Sequence, residues 1–423
     1  MHRPSGMLRL LSRSPFLRAT VILALANGLA NVFNYLYQVL MARLLDPADF
    51  GLLASLFSVF VVLSVLAPAL QLAGARFAAT SGPEQVRALW VRLLRRSLVL
   101  GLAATVLALA LSPALSWFLH IDSVGLLLLL SVSFFFSLML PVNMGVLQGL
   151  HRFLALAAAN LATPLIRLAL GAALVILGLG VFGAFVPLLV GFVLVFAATS
   201  LPLRRLPRGE AELEATGLVR YISWTAVAYG AFIVLSNIDV VLAKHYLEPR
   251  AAGEYAALAV LGRIVLFAPV GVTLVMFPMT ARAEQAPGRR LAILAASIAY
   301  TLAITGAVLA VYAILPMTVV NVAVGDEYGA ITPALLRYGS GMLGLAVTFL
   351  MMHYFLAIDR TNVAIPVIAG VVVQIALTVA FHSGVDQLAD IRLASGLFSV
   401  VAMIFYGAVV GLRSSTRSAP QRV

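Results

Sequence analysis

Apolar positions along the chain gather into twelve long runs separated by short polar joints, and about 20 consecutive apolar residues are what one α-helix needs to cross a bilayer. The runs cover residues 18–42, 51–75, 97–119, 124–148, 154–178, 181–203, 221–245, 254–280, 291–315, 331–357, 363–382 and 393–412. The joints carry helix-ending punctuation, for example "RLLDPADFG", "HIDS", "VGDEYG" and "DRTN". The predicted fold class is an all-α polytopic membrane protein. The basic N-terminus resembles the flank of a signal peptide, but the apolar stretch behind it is too long for one, so it reads as a retained first span.

Polar residues inside the runs are not scattered. In "ANGLANVFNYLYQ" the residues Asn27, Asn31, Asn34 and Gln38 recur at i, i+4, i+7 and i+11, which places them within an arc of roughly 60° on a helix. This is a polar stripe on an otherwise apolar rod, longer than interhelical glue requires. The fifth span repeats the device with Asn160, Thr163 and Arg167, and the seventh carries Tyr229 and Ser236 one heptad apart. Pro68, Pro141, Pro164, Pro269 and Pro278 fall inside spans and suit helices that bend.

Composition agrees with the pattern: 62% of residues are hydrophobic, 10% are charged and mean hydropathy is +1.06. The net charge of +12 does not require nucleic acid, because the charges lie between apolar runs and topology accounts for them. With the N-terminus cytoplasmic, 21 of the 28 Lys and Arg residues fall in the termini and inner joints. Four fall in outer joints (Arg43, Lys244, Arg250, Arg392) and three inside spans. Both ends are therefore expected in the cytoplasm.

A repeat appears at half length. Leu45-Asp46-Pro47, Gly51 and Ala54 match Leu247-Glu248-Pro249, Gly253 and Ala256, each pair 202 positions apart. Six spans separate the copies, so the halves are expected to be parallel repeats. Two six-helix bundles follow, 1–208 and 209–423, joined by the hydrophilic stretch 204–219.

Three arginines lie well inside spans. Arg167 sits roughly 20 Å along its helix from the inner joint, and Arg263 and Arg337 roughly 15 Å below their outer ends. A charge at the bilayer centre costs about 3 kcal/mol or more, and such groups usually mark a pathway; a structural ion pair or snorkelling is the alternative. The one acid inside a span, Asp239, is a candidate partner for Arg263 or a candidate ion-coupling site. One carboxylate does not neutralise three guanidiniums, so the trio is read as binding substrate.

Soluble chemistry is largely absent. Without cysteine there is no thiol nucleophile, none of the six histidines precedes Glu in a zinc-helix pattern, and the single lysine follows Ala243, so no phosphate loop exists. "GLGVFG" matches a dinucleotide pattern but forms an uncharged turn between spans. Asp46 and Asp49 could pair catalytically, yet the repeat at Glu248 favours a structural turn. No catalytic residue, metal or cofactor is expected.

"NYLYQVLMARLLDPADFGLLASLFSVF" and "SNIDVVLAKHYLEPRAAGEYAALAVL" resemble the signature stretches of polysaccharide transporters in the multidrug/oligosaccharidyl-lipid/polysaccharide exporter (MOP) superfamily. The resemblance implies a V-shaped flippase in a bacterial cytoplasmic membrane. It would move polyprenyl-pyrophosphate-linked oligosaccharide by alternating access, through a cavity whose cations hold the pyrophosphate. By type and depth Arg167, Arg263 and Arg337 fit that role, and Asn27, Asn31, Asn34 and Gln38 would line the sugar route. The lipid-linked oligosaccharide and the bilayer are the implied partners, with polysaccharide assembly enzymes as candidates and no nucleic acid. Multidrug members typically carry an acid deep in the first helix, where this chain has only amides. The alternatives are a cation-coupled multidrug exporter of the same fold, a membrane-embedded glycan polymerase or ligase, and a scaffold in an export complex.

Overall fold

In the computed structural model, described for residues 15–82, 84–207, 216–282 and 287–417, the chain is a succession of helices. The first part comprises α1 (Pro15–Leu44), α2 (Pro47–Leu63), α3 (Ala67–Thr80), α4 (Val86–Ala110), α5 (Ser112–Leu119), α6 (Val124–Gly149), α7 (Phe153–Leu174) and α8 (Gly180–Arg204). The second comprises α9 (Thr216–Tyr246), α10 (Pro249–Phe267), α11 (Val270–Arg282), α12 (Pro287–Ile314), α13 (Pro316–Ala323), α14 (Thr332–Ala357), α15 (Ala364–Ala380) and α16 (Val385–Arg417). Residues 1–14 and 208–215, which hold most of the basic N-terminus and the acidic joint, lie outside the described residues.

Among the described residues, 10 helical stretches are long and apolar enough to cross a membrane. One of them, Phe153–Arg204, is a hairpin of two rods. It reverses at a π-turn over Val175–Leu179, where Gly178 and Gly180 take φ of 88° and 51°. Those left-handed values need glycine, so "GLGVFG" is a reversal and no phosphate loop. With this hairpin counted as two and α1 added, the twelve rods expected from the apolar pattern are present. Large apolar side chains such as Val99, Val106, Ile176 and Phe405 point outward, as a lipid-facing surface requires.

Two boundaries differ from the hydropathy reading. α4 begins at Val86, inside the stretch read as an inner joint, because Val86, Leu89 and Trp90 bury on one face while Arg92, Arg95 and Arg96 stay exposed on the other. α16 begins at Val385 instead of 393: Leu388, Ala389, Arg392, Ser395 and Ser399 recur at helical spacing and are buried, with Asp386 and Asp390 on the exposed face. Both stretches are amphipathic, which a window average of hydropathy does not register.

The chain forms two compact units, Met1–Leu45 with Leu66–Ala215, and Asp46–Val65 with Thr216–Val423. α2 packs in the second unit, against α9 and α10. Its glycine explains the placement. A Cβ on Gly51 would meet the Gly253 backbone nitrogen at 2.7 Å, and one on Gly253 would meet the Pro47 carbonyl oxygen at 1.7 Å. The matched motifs of the repeat are thus packed against each other backbone to backbone. Phe50 stacks edge-on with Tyr328 at 6.2 Å, and Asp46 caps α2 by accepting from the Ala48 and Asp49 amides at 2.9 and 3.2 Å. Asp46 is therefore a helix cap, as the structural-turn reading has it. Helix breaks fall beside two of the five prolines: a 3-10 turn over Ser64–Leu66 precedes Pro68, and α10 gives way to α11 around Pro269.

In the first unit, Asn143 of α6 ties three helices together. Its Oδ1 accepts from the Trp90 indole at 2.7 Å, and its Nδ2 donates to Ser200, Thr199 and the Phe196 carbonyl at 2.8, 3.0 and 3.2 Å. Replacing Asn143 with leucine strands a buried indole N–H and is expected to cost about 1–3 kcal/mol. Adding Trp90→Phe should recover part of that loss in a melting experiment, and strict additivity of the two changes would contradict the assignment.

Candidate functional site

The polar stripe of α1 faces the stripe of α7 in the first unit. Asn160 Nδ2 donates to Asn27 Oδ1 at 2.8 Å, and Arg167 Nη2 donates to Asn34 Oδ1. Both pairs are separated by 133 positions, the constant offset of two parallel helices in fixed register. Asn31 is exposed between them, and Gln38 is half-buried one turn beyond. The half-buried Arg167 also lies 4.6 Å over the Tyr37 ring, a cation–π placement. Tyr37 is 1% exposed and anchors to α8 by donating its hydroxyl proton to the Ala184 carbonyl at 2.7 Å. The stripe and Arg167 are therefore one device, a row of amides ending in a guanidinium pinned against an aromatic face.

The second unit holds a parallel arrangement. Arg263 of α10 donates to Asn237 Oδ1 of α9 at 3.0 Å. The amide group of Asn237 is oriented in turn, donating to the Ile233 carbonyl at 2.9 Å and to Ser236 at 3.1 Å. Each unit thus presents a half-buried guanidinium steered by an asparagine oxygen.

Asp239 is placed differently from the expectation. It does not meet Arg263; its Oδ2 lies 2.5 Å from Arg392 and accepts the Tyr255 and Tyr338 hydroxyls at 3.0 and 2.8 Å. Asp239 is 2% exposed and Arg392 0%. Arg392 also donates to the Leu235 carbonyl at 2.9 Å. This knot joins α9, α10, α14 and α16 and balances the acid with a permanent cation.

Arg337 is likewise compensated. Its Nη1 reaches both Asp390 oxygens at 2.8 and 3.0 Å, and its Nη2 meets Asp386. The expectation of three arginines against one carboxylate fails because α16 starts about two turns earlier than hydropathy suggests and carries two acids to Arg337. Two of the four cations assigned to outer joints, Lys244 and Arg392, are buried within helices at 7% and 0% exposure.

Sequence reasoning missed Tyr37, Asn237 and Arg392, and it also missed His353. The His353 Nδ1 bonds the Phe349 carbonyl at 2.8 Å, which leaves Nε2 to accept from the Tyr229 hydroxyl at 2.6 Å. Tyr37 follows Asn34 by three and Asn237 follows Ile233 by four, so helical spacing was the available signal for both.

A profile for the polysaccharide biosynthesis protein family matches residues 40–333. No curated protein matches the chain in sequence. Among solved structures, an inward-facing multidrug resistance MATE family transporter of the MOP superfamily superposes with a TM-score of 0.75 at 16% identity, covering 95% of this chain and 100% of that one. The lipid II flippase MurJ in an inward closed conformation gives 0.74 at 15% identity, covering 92% and 87%. A MOP superfamily transporter from Pyrococcus furiosus, described as having a binding pocket of reverse polarity, gives 0.62 at 19% identity, covering 98% and 99%. At these identities the likeness establishes a common fold, and the profile match spans more than half of the chain. The chain belongs to the polysaccharide biosynthesis protein family, and its fold is that of the MOP superfamily transporters.

Proposed function

We propose that the chain is a flippase that carries a polyprenyl-pyrophosphate-linked oligosaccharide across a bacterial cytoplasmic membrane by alternating access, both termini facing the cytoplasm. The observation that carries this reading is the row Asn27–Asn160, Asn34–Arg167, Tyr37 inside a membrane-spanning unit. Moving an ionic head group into hydrocarbon costs tens of kcal/mol by Born estimates, so a carrier must supply polar partners throughout the crossing. Amides both donate and accept and can exchange partners with sugar hydroxyls. Guanidiniums bind phosphate oxygens two at a time and stay charged. Arg167 and Arg263 are assigned to the pyrophosphate, and Asn27, Asn31, Asn34 and Gln38 to the sugar. Arg337, held by two acids, is left out of this assignment. No bond is made or broken in the cycle, so no catalytic group is required. Export of cationic drugs, the second reading of the fold, would need an acid free to meet a cation, whereas Asp239 is spent on Arg392.

Proteoliposomes loaded with labelled polyprenyl-pyrophosphate sugar test this. Arg167→Gln and Arg263→Gln are each expected to slow translocation about tenfold or more, the worth of one charge-assisted hydrogen bond, while Arg337→Gln leaves it near wild type. Equal label accessibility with wild type, both variants and empty vesicles would sink the proposal.

A further inference from the structure

The second unit carries an open apolar groove between α11 and α12, about 570 Å³ in volume, within the range of small-molecule sites. Val275, Met276 and Met279 form one wall, and Ala292, Ala296 and Tyr300 the other. Alanine at two successive turns of α12, Ala292 and Ala296, leaves room for the groove. One end is closed by Arg289, in the first turn of α12, which is exposed.

The dimensions are those of one lipid chain in one leaflet. Arg289, Ala292, Ala296 and Tyr300 lie at i, i+3, i+7 and i+11 on a single face, so the groove runs roughly 16 Å along α12, about half of a hydrocarbon core. With both termini cytoplasmic, as proposed, its cation falls at an inner joint, the depth of a phosphate, and its apolar length rises toward the midplane. Met276 and Met279 are flexible, polarisable walls that adapt to an irregular chain. A second groove, in the first unit, is about 360 Å³, lined by residues such as Ala158, Ala162 and Leu194, and no charged side chain lines it. Apolar concavity alone therefore does not single out the first groove; its terminal guanidinium does.

We infer that the α11–α12 groove is a seat for the isoprenoid chain of the carrier lipid, with its phosphate on Arg289. The inference rests on the proposed reading that the cargo is prenyl-linked. The groove is a seat for the carrier lipid outside the transport step, occupied before or after its pyrophosphate engages Arg167 and Arg263, and it shares no residue with the arginine and amide sites.

Binding of undecaprenyl phosphate, which carries no sugar, to the purified full chain tests this by native mass spectrometry, with phosphatidylglycerol as the straight-chain anionic competitor. Wild type should prefer the prenyl lipid by about tenfold. Arg289→Gln and Ala296→Phe, which fills the exposed floor, should each weaken it about tenfold with unchanged melting temperature. Ala158→Phe in the other groove should change nothing. Equal affinity for the two lipids marks ordinary boundary lipid and overturns the inference, as does full binding by both groove variants. Prenyl binding that survives in a protein unable to translocate would defeat the flippase reading and leave this seat standing.

Discussion

Replacing Asp239 with alanine is expected to destabilise the protein by about 3–5 kcal/mol, because it leaves the Arg392 guanidinium buried without its counter-charge. Arg392→Leu should cost a similar amount by stranding the carboxylate, at 2% exposure, beneath two tyrosine hydroxyls. The pair removed together, as Asp239→Leu with Arg392→Leu, should regain most of the loss, since the expense of a buried ion pair is incurred mainly when one member is missing. Thermal unfolding in detergent measures all three. The double variant also separates structure from coupling. If it folds but translocation no longer responds to a proton or sodium gradient that drives the wild type, the carboxylate does couple transport, and its assignment to a structural knot is wrong.

Gly253→Ala, the smallest substitution available, is expected to be nearly as severe. Its Cβ would stand 1.7 Å from the Pro47 carbonyl oxygen, and that obstacle is backbone, which does not swing aside as a side chain would. Overpacking typically costs 1–3 kcal/mol and occasionally more, and with backbone on both sides of the crossing about 3 kcal/mol is expected. Gly306→Ala in α12 meets nothing within 4 Å and should be tolerated or mildly stabilising, since alanine is the better helix former by about 0.5–1 kcal/mol. Comparable melting temperatures for Gly253→Ala and wild type would show that α2 and α10 do not cross this tightly.

Much of this was legible in the sequence because a bilayer imposes a strict rule on length and polarity. Twelve apolar runs became twelve rods, and the spacing of Asn27, Asn34, Asn160 and Arg167 already put each pair on one face of its helix. The repeat around Gly51 and Gly253 was visible as letters, but its meaning was not. Two identical glycines can mark a turn or a crossing, and only three dimensions show that the Gly253 backbone occupies the space a Gly51 side chain would need, and the Pro47 backbone the space a Gly253 side chain would need. Charge partners were the least legible. Hydropathy averages blur an amphipathic helix end, so Asp386, Asp390 and Arg392 looked like a loop, and the charge count around Arg337 and Asp239 came out wrong. Burial of Arg392 depends on a carboxylate more than 150 positions away, which no local window detects.

The burial of the single lysine has a practical corollary. At 7% exposure in α9, the Lys244 amine is sheltered from acylating reagents while the fold persists, and a chain without cysteine offers no competing thiol. Lys244 is thus an internal reporter of opening: acylation there should track loss of native packing in the second unit. Thiols introduced one at a time would, for their part, map water access on a silent background.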